Sequence, residues 1–242
     1  MKNLVISDIH ANFTALQAVL DAAGHFDAVW CLGDLVGYGP DPNECVDSIR
    51  QLPNLMCIIG NHDAAALMQI DADTFNPEAR SALLWTRQAL TDGSRAFLSS
   101  LPEKVTTDSV TISHGSPRHP VWEYLLDTRT ATINFDYFET PLCFVGHTHL
   151  PVIYSLLDEN HLARLSIPEP NQTLTLPVRS IINPGSVGQP RDRDPRAAFA
   201  IFDDENNSWD YRRVAYDISA VQERMAKAGL PERHIHRLSA GW

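Results

Sequence analysis

The sequence predicts an α/β fold built on a largely parallel sheet, and two observations support this prediction. Short apolar runs recur along the first two-thirds of the chain, and apolar residues at helical spacing lie between the first two runs (Phe13, Leu16, Val19, Leu20). Short strands that alternate with helices are typical of parallel sheets. Each run also stops at a polar residue, and in such sheets ligands bind beyond the carboxyl ends of the strands.

The apolar runs are the predicted strands of this part of the chain. Their short length and their Val, Ile and Leu content are typical of buried strands. The runs are 4–6, 28–32, 55–59, 110–112 and 142–145, and they lead to Asp8, Asp34, Asn61-His62, His114 and His147. Because strand ends of this kind meet at one edge of a sheet, we expect the polar motifs to converge in one place.

Residues 64–104 interrupt this pattern and are predicted to form a helical insert within a single domain that spans residues 1–242. Apolar residues recur at helical spacing after Asn76-Pro77-Glu78, a sequence that favours a helix start. Asp92-Gly93 is expected to end this helix, and a second short helix is expected around Phe97 and Leu101. We expect the insert to lie beside the site, either as a substrate lid or as a packing hairpin.

After His149 the pattern changes to short strands separated by turn residues. We expect these strands to form hairpins that complete a second sheet. A last helix is predicted to end before Gly229 and Pro231; its apolar residues are Ile218, Val221, Met225 and Ala228. The predicted strands are 152–157, 162–167, 179–182, 198–203 and 209–214, with turns at Asp158-Glu159-Asn160 and from Asp204 to Ser208.

The acidic charge and the cysteines limit the possible functions. Asp and Glu total 30 against 19 Lys and Arg, a formal charge of -11, which disfavours binding to nucleic acid. The 4 cysteines form no Cys-x-x-Cys pair, so we expect buried free thiols in a reducing compartment. The apolar stretch after Lys2 is too short for a signal peptide, and no run reaches the ~20 residues of a membrane span. We therefore expect a cytoplasmic protein without a membrane partner.

The polar residues near the strand ends form a set of potential metal ligands. Asp8 and His10 are two positions apart in an extended segment, so both side chains can point the same way. The set combines carboxylates, imidazoles and an amide oxygen: Asp8, Asp34, His10, His114, His147, His149 and Asn61. Imidazole with oxygen ligands suits Mn, Fe, Zn, Ni or Co. The set is too large for one ion and suits two divalent ions, whose surplus positive charge would attract a phosphate oxyanion.

The order of these motifs resembles the calcineurin-like metallophosphoesterase superfamily. The resemblance rests on Asp8-x-His10, Gly33-Asp34, Gly60-Asn61-His62-Asp63, His114 and Gly146-His147-x-His149, with an Asn183-Pro184-Gly185-Ser186 loop similar to the small bacterial and archaeal members. It implies a four-layer αββα sandwich of two mixed sheets flanked by helices, with a two-metal site. It further implies that one metal is held by Asp8, His10, Asp34 and His149, and the other by Asp34, Asn61, His114 and His147, with Asp34 bridging.

The same resemblance implies a dinuclear metal-dependent hydrolase of phosphoesters. A hydroxide that bridges the metals would attack phosphorus in line with the leaving oxygen. Manganese is the metal that we expect to support activity. His62 is predicted as the catalytic residue, which protonates the leaving group or stabilises its developing charge.

One departure from the superfamily's protein Ser/Thr phosphatases bears on the substrate. Those enzymes carry Gly-Asp-x-x-Asp-Arg-Gly, whereas this chain has Gly33-Asp34-Leu35-Val36-Gly37-Tyr38-Gly39. Gly37 replaces the acid that orients the catalytic histidine in those enzymes, and Tyr38 replaces their phosphate-binding arginine. Without a bidentate arginine, the grip on a dianionic monoester weakens. The sequence therefore favours a phosphodiesterase acting on a small or nucleotide-like phosphoester.

Other functions remain open at this point. They are a phosphomonoesterase or dinucleoside polyphosphate hydrolase, a nuclease, and a non-catalytic binding scaffold. The acidic charge and the lack of a basic, aromatic stripe oppose the nuclease. The completeness of the ligand set opposes the scaffold.

Two residues are predicted to bind substrate, each with a structural alternative. Asn12 is predicted to contact a substrate oxygen or to cap the first helix. Arg191 is predicted to bind a second phosphate or the leaving group, or to lie in a solvated turn with ion pairs. Trp122 is expected to line the pocket entrance or to pack. His234 and His236 have no accompanying carboxylates and are not predicted as a metal site.

Overall fold

A computed structural model describes residues 1–157 and 162–242 of the chain. The helices in these ranges are α1 Phe13–Ala23, α2 Pro42–Ile49, α3 Asn61–Ala66, α4 Pro77–Ala89, α5 Asp92–Ser99, α6 Thr128–Asn134, α7 Ile218–Lys227 and α8 Glu232–Ala240. The strands are β1 Lys2–Ile6, β2 Ala28–Cys31, β3 Leu55–Cys57, β4 Lys104–Thr106, β5 Val110–Ser113, β6 Leu142–Phe144, β7 Pro151–Ser155, β8 Arg164–Ser166, β9 Gln172–Thr175, β10 Ser180–Pro184, β11 Ala197–Asp203 and β12 Ser208–Val214.

Within the described residues the strands form two mixed sheets of six strands each. The first sheet has the order β3-β2-β1-β11-β12-β9, and β1, β2 and β3 run parallel. The second sheet has the order β4-β5-β6-β10-β7-β8, and β5, β6 and β10 run parallel. The parallel strands form one half of each sheet, and antiparallel strands form the rest.

The two sheets pack face to face, with helices on both outer faces. Successive side chains of β1 point to opposite faces, so Val5 packs against the second sheet while Leu4 and Ile6 pack against helices. Leu16 of α1 lies in the outer cluster of the first sheet, and Ala131 of α6 lies in that of the second. This order of layers confirms the predicted αββα sandwich.

The helices of the predicted insert begin where their sequences favour a start, but one boundary prediction was wrong. The Asn76 side chain accepts a hydrogen bond from the Ala79 amide at 2.9 Å and caps α4, as Asn76-Pro77 predicts. Asp92-Gly93 does not end this helix. Instead α4 ends at Ala89, and the Thr91 hydroxyl caps α5 by accepting from the Ser94 amide at 3.2 Å. Asp92 then lies in the first turn of α5, where the helix dipole favours an acid.

The prediction that all late strands complete a second sheet was also wrong. β7, β8 and β10 do join the second sheet, but β11 and β12 extend the first sheet, where β11 pairs antiparallel with β1. The physical reason is visible in β11: Phe199 packs toward the helices and Phe202 toward the second sheet. A strand with two apolar faces fits the centre of a sandwich. The predicted turn at 158–160 lies outside the described residues.

The C-terminal region contains one helix more than the sequence indicated. α7 ends close to Gly229, whose φ of +71 confirms the predicted stop. α8 follows and packs on α7, where the Gln222 side chain donates to the Ile235 carbonyl at 2.7 Å. Both helices pack with α4 around Tyr38 in one buried cluster. α8 is amphipathic but short, and its few apolar residues are Ile235, Leu238 and Ala240, so the sequence analysis did not recognise it.

Two further expectations concern the cysteines and the membrane. All four cysteines of the described chain are buried and unpaired, as expected. Among residues 1–157 and 162–242, none of the helices combines the length and the apolarity that a bilayer crossing requires.

Candidate metal centre

The polar motifs that follow β1, β2, β3, β5 and β6 converge at one edge shared by both sheets. Their loops are joined by hydrogen bonds: the His10 amide donates to the Asp34 carbonyl at 2.9 Å, and the His147 amide donates to Asp8 Oδ2 at 3.1 Å. The strands belong to different sheets, yet their ends meet because the sheets are stacked. The structure thus brings all seven predicted ligand side chains together.

Five of these residues have left-handed backbone conformations, which are unusual for residues other than glycine. Backbone strain of this kind persists only where the surrounding structure enforces it, and it concentrates at functional sites. The φ values are +53° for Asp8, +49° for His10, +52° for Asp34, +66° for His147 and +60° for His149.

Glycines let the loops of the centre approach each other closely. A Cβ atom on Gly33 would lie 2.8 Å from the Gly60 nitrogen and 3.0 Å from His114 Nδ1. Real Cβ atoms do not come this close to backbone. The Gly33 position therefore brings Asp34 next to the loop that carries Asn61.

The first group of ligand atoms comes from Asp8, His10 and His149. His149 Nε2 lies 3.3 Å and His10 Nε2 lies 3.8 Å from Asp8 Oδ1. The two Nε2 atoms are 3.1 Å apart. All three residues are buried, and their ligand atoms lie within 4.8 Å of one another.

The second group comes from Asp34, His114, His147 and Asn61. His114 Nε2 lies 3.2 Å from Asp34 Oδ2 and 3.1 Å from Asn61 Oδ1. Asp34 Oδ2 is also 3.6 Å from His10 Nε2, which belongs to the first group. Asp34 therefore lies between the two groups.

Backbone carbonyls orient the imidazoles. His10 Nδ1 donates to the Val36 carbonyl at 3.2 Å, His114 Nδ1 to the Leu32 carbonyl at 2.7 Å and His149 Nδ1 to the Gln189 carbonyl at 2.6 Å. A carbonyl oxygen only accepts, so Nδ1 carries a hydrogen in each ring, and a ring in its neutral form offers a lone pair at Nε2. This second layer of contacts is typical of histidines that bind metals.

Several buried atoms at the centre lack a hydrogen-bond partner among the described residues. They are Asp8 Oδ1, Asp34 Oδ2 and His147 Nε2. An unsatisfied buried acceptor costs free energy, and here several acceptors face the same point. Divalent cations would satisfy all of them, and the nitrogen and oxygen donors suit a transition metal. The residues therefore fit a metal site.

Burial and the charge of the Asp34 carboxylate shift the pKa values of the other ligand residues. Burial lowers the pKa of His10, His147 and His149, which keeps these rings neutral and able to bind metal. Burial raises the pKa of Asp8 to about 6. Burial alone would lower the pKa of His114, but the Asp34 carboxylate outweighs it and raises this pKa to about 9. A metal would replace that proton at His114.

His62 lies at the border of the ligand groups within an aromatic setting. Its ring centroid is 5.0 Å from that of His10, 4.3 Å from Tyr38 and 5.0 Å from Phe75. Its amide donates to Asp34 Oδ1 at 2.9 Å, and its Nδ1 has no partner among the described residues. His62 is close enough to His10 and Asp34 to share an ion with them. Its catalytic role stays a prediction.

The predicted substrate-binding residues differ in their surroundings. The side-chain Oδ1 of Asn12 accepts from the Ala15 amide at 3.1 Å, and its Nδ2 donates to the Gly188 carbonyl at 3.0 Å. Asn12 is therefore the cap of α1, one of its two predicted roles. Arg191 is close enough to the centre to affect the pKa of Asp8. It lies over Tyr38, with its guanidinium carbon 6.0 Å from the ring centroid.

Sequence reasoning missed several residues that contact the centre. The Tyr124 ring stacks on the His147 ring at 3.8 Å. Trp122, by contrast, was predicted to line the pocket entrance or to pack, and its ring lies 6.4 Å from that of His147. His234 of α8 is buried with its ring 4.6 Å from that of Tyr38, so it packs at the site although it was dismissed as a metal ligand. The Gly-Tyr departure at residues 37 and 38 was the one signal for this aromatic cluster.

The comparisons with known proteins agree with this geometry. A family model described as a calcineurin-like phosphoesterase superfamily domain matches residues 1–207. A metallophosphoesterase crystal structure from Sphaerobacter thermophilus is 46% identical, with a TM-score of 0.92, and the match covers 100% of this chain and 99% of that chain. An uncharacterized protein from Methanocaldococcus jannaschii is 41% identical, over 98% of this chain and 97% of that protein.

A further similarity is local. The symmetrical bis(5'-nucleosyl)-tetraphosphatase of Erwinia tasmaniensis is 39% identical over 67 residues, which are 26% of this chain and 24% of that protein. The family match, in contrast, includes every motif of the centre and every strand of the described residues except β12. The chain therefore belongs to the calcineurin-like phosphoesterase superfamily and is a metallophosphoesterase.

Proposed function

We propose that the chain is a dinuclear metal-dependent phosphodiesterase that acts on small or nucleotide-like substrates. The observation that carries this proposal is the position of Asp34 Oδ2, 3.6 Å from His10 Nε2 and 3.2 Å from His114 Nε2. A carboxylate so placed suits a ligand shared by two ions. One ion would be held by Asp8, His10, Asp34 and His149, and the other by Asp34, Asn61, His114 and His147.

The chain's own residues would prepare and orient the reacting groups. Divalent ions bound here would lower the pKa of a water and offset negative charge on the phosphoryl oxygens. Burial lowers the pKa of His62 to about 4, so the ring is neutral near neutral pH and retains one N–H hydrogen. The N–H of this neutral ring would donate a hydrogen bond to the leaving oxygen and stabilise its developing charge.

The surroundings of His62 support a diester rather than a phosphoprotein substrate. Gly37 has a φ of +92, and a Cβ atom there would lie 2.7 Å from His62 Nδ1. An acid at position 37 would displace the histidine, so this chain orients His62 by other means. Tyr38 packs its ring on His62 and supplies no cation for a dianionic monoester.

A second candidate is a dinucleoside polyphosphate hydrolase. The local similarity to a bis(5'-nucleosyl)-tetraphosphatase favours it. The same ligands and the same His62 would serve this reaction, because a phosphoanhydride presents the same phosphoryl oxygens. The formal charge of -11 supports a small substrate rather than a nucleic acid for either candidate.

The proposal also includes the identity of the metal ion and the cellular compartment of the protein. Manganese is the proposed activating ion, and nitrogen and oxygen donors without thiolate are compatible with it. The buried, unpaired cysteines support a reducing compartment such as the cytoplasm.

The test is a pair of steady-state rates, on bis-p-nitrophenyl phosphate and on p-nitrophenyl phosphate. Both are measured after chelation and again with added Mn²⁺. We expect chelation to abolish hydrolysis, and Mn²⁺ to restore it with a preference for the diester. A preference for the monoester would make the chain a phosphomonoesterase. An absence of both activity and bound metal would contradict the proposal and favour a binding scaffold.

A further inference from the structure

Two arginines meet beside the metal centre on one buried glutamine. Arg191 Nη2 donates to Gln189 Oε1 at 2.9 Å, and Arg237 Nη1 donates to the same oxygen at 3.3 Å. Arg191 comes from the loop after β10, and Arg237 comes from α8. Two cations that share one neutral acceptor lie close together without a charge between them.

The acids of the loop that carries Arg191 neutralise neither guanidinium. Asp192 pairs with Arg213, and Asp194 pairs with Arg196 at 2.6 Å. Within residues 1–157 and 162–242, no carboxylate forms an ion pair with Arg191 or Arg237. The alternative role predicted for Arg191, in a turn with internal ion pairs, therefore applies to Arg196. Arg191 faces the metal centre instead.

The hydrogen-bonding capacity around the arginine pair, Arg191 and Arg237, is largely unused. Each guanidinium has five N–H donors. Both arginines donate to Gln189, Arg191 also lies within hydrogen-bond reach of the Tyr38 hydroxyl, and the Nε atoms of both arginines lack partners among the described residues. The Nε2 atom of Gln189 and both ring nitrogens of His234 also lack partners among the described residues, although both side chains are buried. Burial and the Arg191 charge lower the pKa of Arg237. Such a group of donors matches a ligand that accepts hydrogen bonds and carries negative charge.

Gln189 links the arginine pair to the metal centre. Its backbone carbonyl accepts from His149 Nδ1 at 2.6 Å, while its side chain holds both arginines. Arg191 lies over the Tyr38 ring, and the same ring packs against the ring of His62. An anion at the arginine pair would thus lie near His62, the group assigned to the leaving oxygen.

We propose that Arg191 and Arg237 form an anion subsite for a second phosphoryl group of the substrate, next to the one that is hydrolysed. This inference rests on the proposed function and narrows its substrate class to nucleotide-like compounds with at least two phosphoryl groups. Arginine suits this role because its planar donors match phosphate oxygens in pairs.

The subsite depends on a part of the chain that the family model does not match. That model ends at residue 207, whereas Arg237 and His234 lie three residues apart on α8. α8 is positioned by Gln222 of α7, and the Arg237 guanidinium lies 5.7 Å from the Trp242 ring. The C-terminal helices thus bring a cation, Arg237, to the side of the metal centre.

The binding test measures the affinity of the protein for inorganic tripolyphosphate by titration calorimetry, after a chelator has removed any bound metal. We expect Arg237→Gln and Arg191→Gln each to weaken binding by roughly tenfold to a hundredfold, the usual effect of losing charged hydrogen bonds. Arg233→Gln is the matched control, because Arg233 lies on the same helix with its side chain 56% exposed. The affinity of Arg233→Gln for tripolyphosphate should equal that of the wild type.

The kinetic test uses the manganese-loaded enzyme. Arg237→Gln should lose more kcat/KM for diadenosine tetraphosphate, which has four phosphoryl groups, than for bis-p-nitrophenyl phosphate, which has one. Arg233→Gln, on the same helix but outside the subsite, should leave both values unchanged. Arg237→Lys keeps a charge without the planar donors and should be intermediate in both experiments.

Two results would overturn the subsite: equal tripolyphosphate affinity in the wild type, Arg191→Gln and Arg237→Gln, or no binding of tripolyphosphate to the wild type. Melting temperatures of all variants confirm that they are folded. Failure of the proposed function would appear differently, as a metal-loaded wild type that does not hydrolyse the diester. The calorimetric result does not depend on that activity.

Discussion

The ring of Tyr38 lies 4.3 Å from the ring of His62, centroid to centroid. Phe75 contacts His62 from another side at 5.0 Å, so the imidazole is packed between aromatic rings. The same Tyr38 ring contacts His10 at 4.8 Å and His234 at 4.6 Å. In this chain, aromatic packing therefore positions the histidine that an acid orients in the protein phosphatases of the superfamily.

Replacing Tyr38 should separate ring packing from hydroxyl chemistry. Tyr38→Ala removes a buried ring from the cluster around α4, α7 and α8, and should lower the free energy of unfolding by about 3 kcal/mol. It should also lower kcat, because His62 loses its packing partner. Tyr38→Phe keeps the ring and should retain kcat. Urea denaturation and steady-state kinetics check both variants, and a large kcat loss in Tyr38→Phe would point to the hydroxyl instead.

His62→Ala should lower kcat by roughly a hundredfold to ten-thousandfold, the range for a lost general acid or hydrogen-bond donor. The metal content of the purified variant should stay the same, since the proposed ligand set is complete without His62. Atomic emission measures the metal, and His25→Ala is the control because its side chain is 81% exposed. Loss of one metal equivalent would instead make His62 a ligand.

Asp34→Asn should reduce metal content more than any change outside the centre. Mn²⁺ should raise the melting temperature of the wild type, because a ligand that binds the folded state stabilises it by mass action. The variant has lost the carboxylate that lies between both ligand groups, so Mn²⁺ should raise its melting temperature less. The exposed Asp136→Asn variant is the control. An unchanged response to Mn²⁺ in Asp34→Asn would exclude Asp34 as a shared ligand.

Local patterns predicted the strands and the convergence of their polar ends. Asp8, Asp34 and His114 each follow an apolar run, and the end of a run is visible in the sequence itself. The sheet to which a strand belongs is not visible in this way. β11 pairs with β1 from the other end of the chain, and the antiparallel register Leu4 to Ile201 depends on packing that no local pattern encodes.

The surroundings of the centre were harder to predict than its ligands. Arg237 reaches Gln189 because α8 folds back on α7, and this long-range contact is not visible in the local sequence of the helix. Gly37 was recognised as a lost acid, but its contact with His62 requires three-dimensional geometry. Residues that act through long-range contacts therefore could not be predicted from the sequence, whereas residues at strand ends could.

Glu123 gives a stability prediction that depends on pH. It accepts hydrogen bonds from Ser116 Oγ at 2.7 Å, Asn134 Nδ2 at 2.8 Å and Arg118 Nε at 3.3 Å. Burial alone would raise the pKa of Glu123, but these donors outweigh it and lower the pKa to about 2 from an ordinary 4.5. These contacts hold the loop between His114 and Tyr124.

A carboxyl whose pKa is lower in the folded state stabilises the fold above its unfolded pKa, and this contribution disappears as the pH falls through the folded pKa. Glu123→Gln should therefore be less stable than the wild type by about 1 kcal/mol near pH 7, since solvent screens part of the interaction. The difference should shrink as the pH falls from about 4.5 toward about 2. Urea denaturation across this range measures it, with the exposed Glu139→Gln as control. A difference that stays constant with pH would mean that side-chain shape, and not the charge of Glu123, holds the loop.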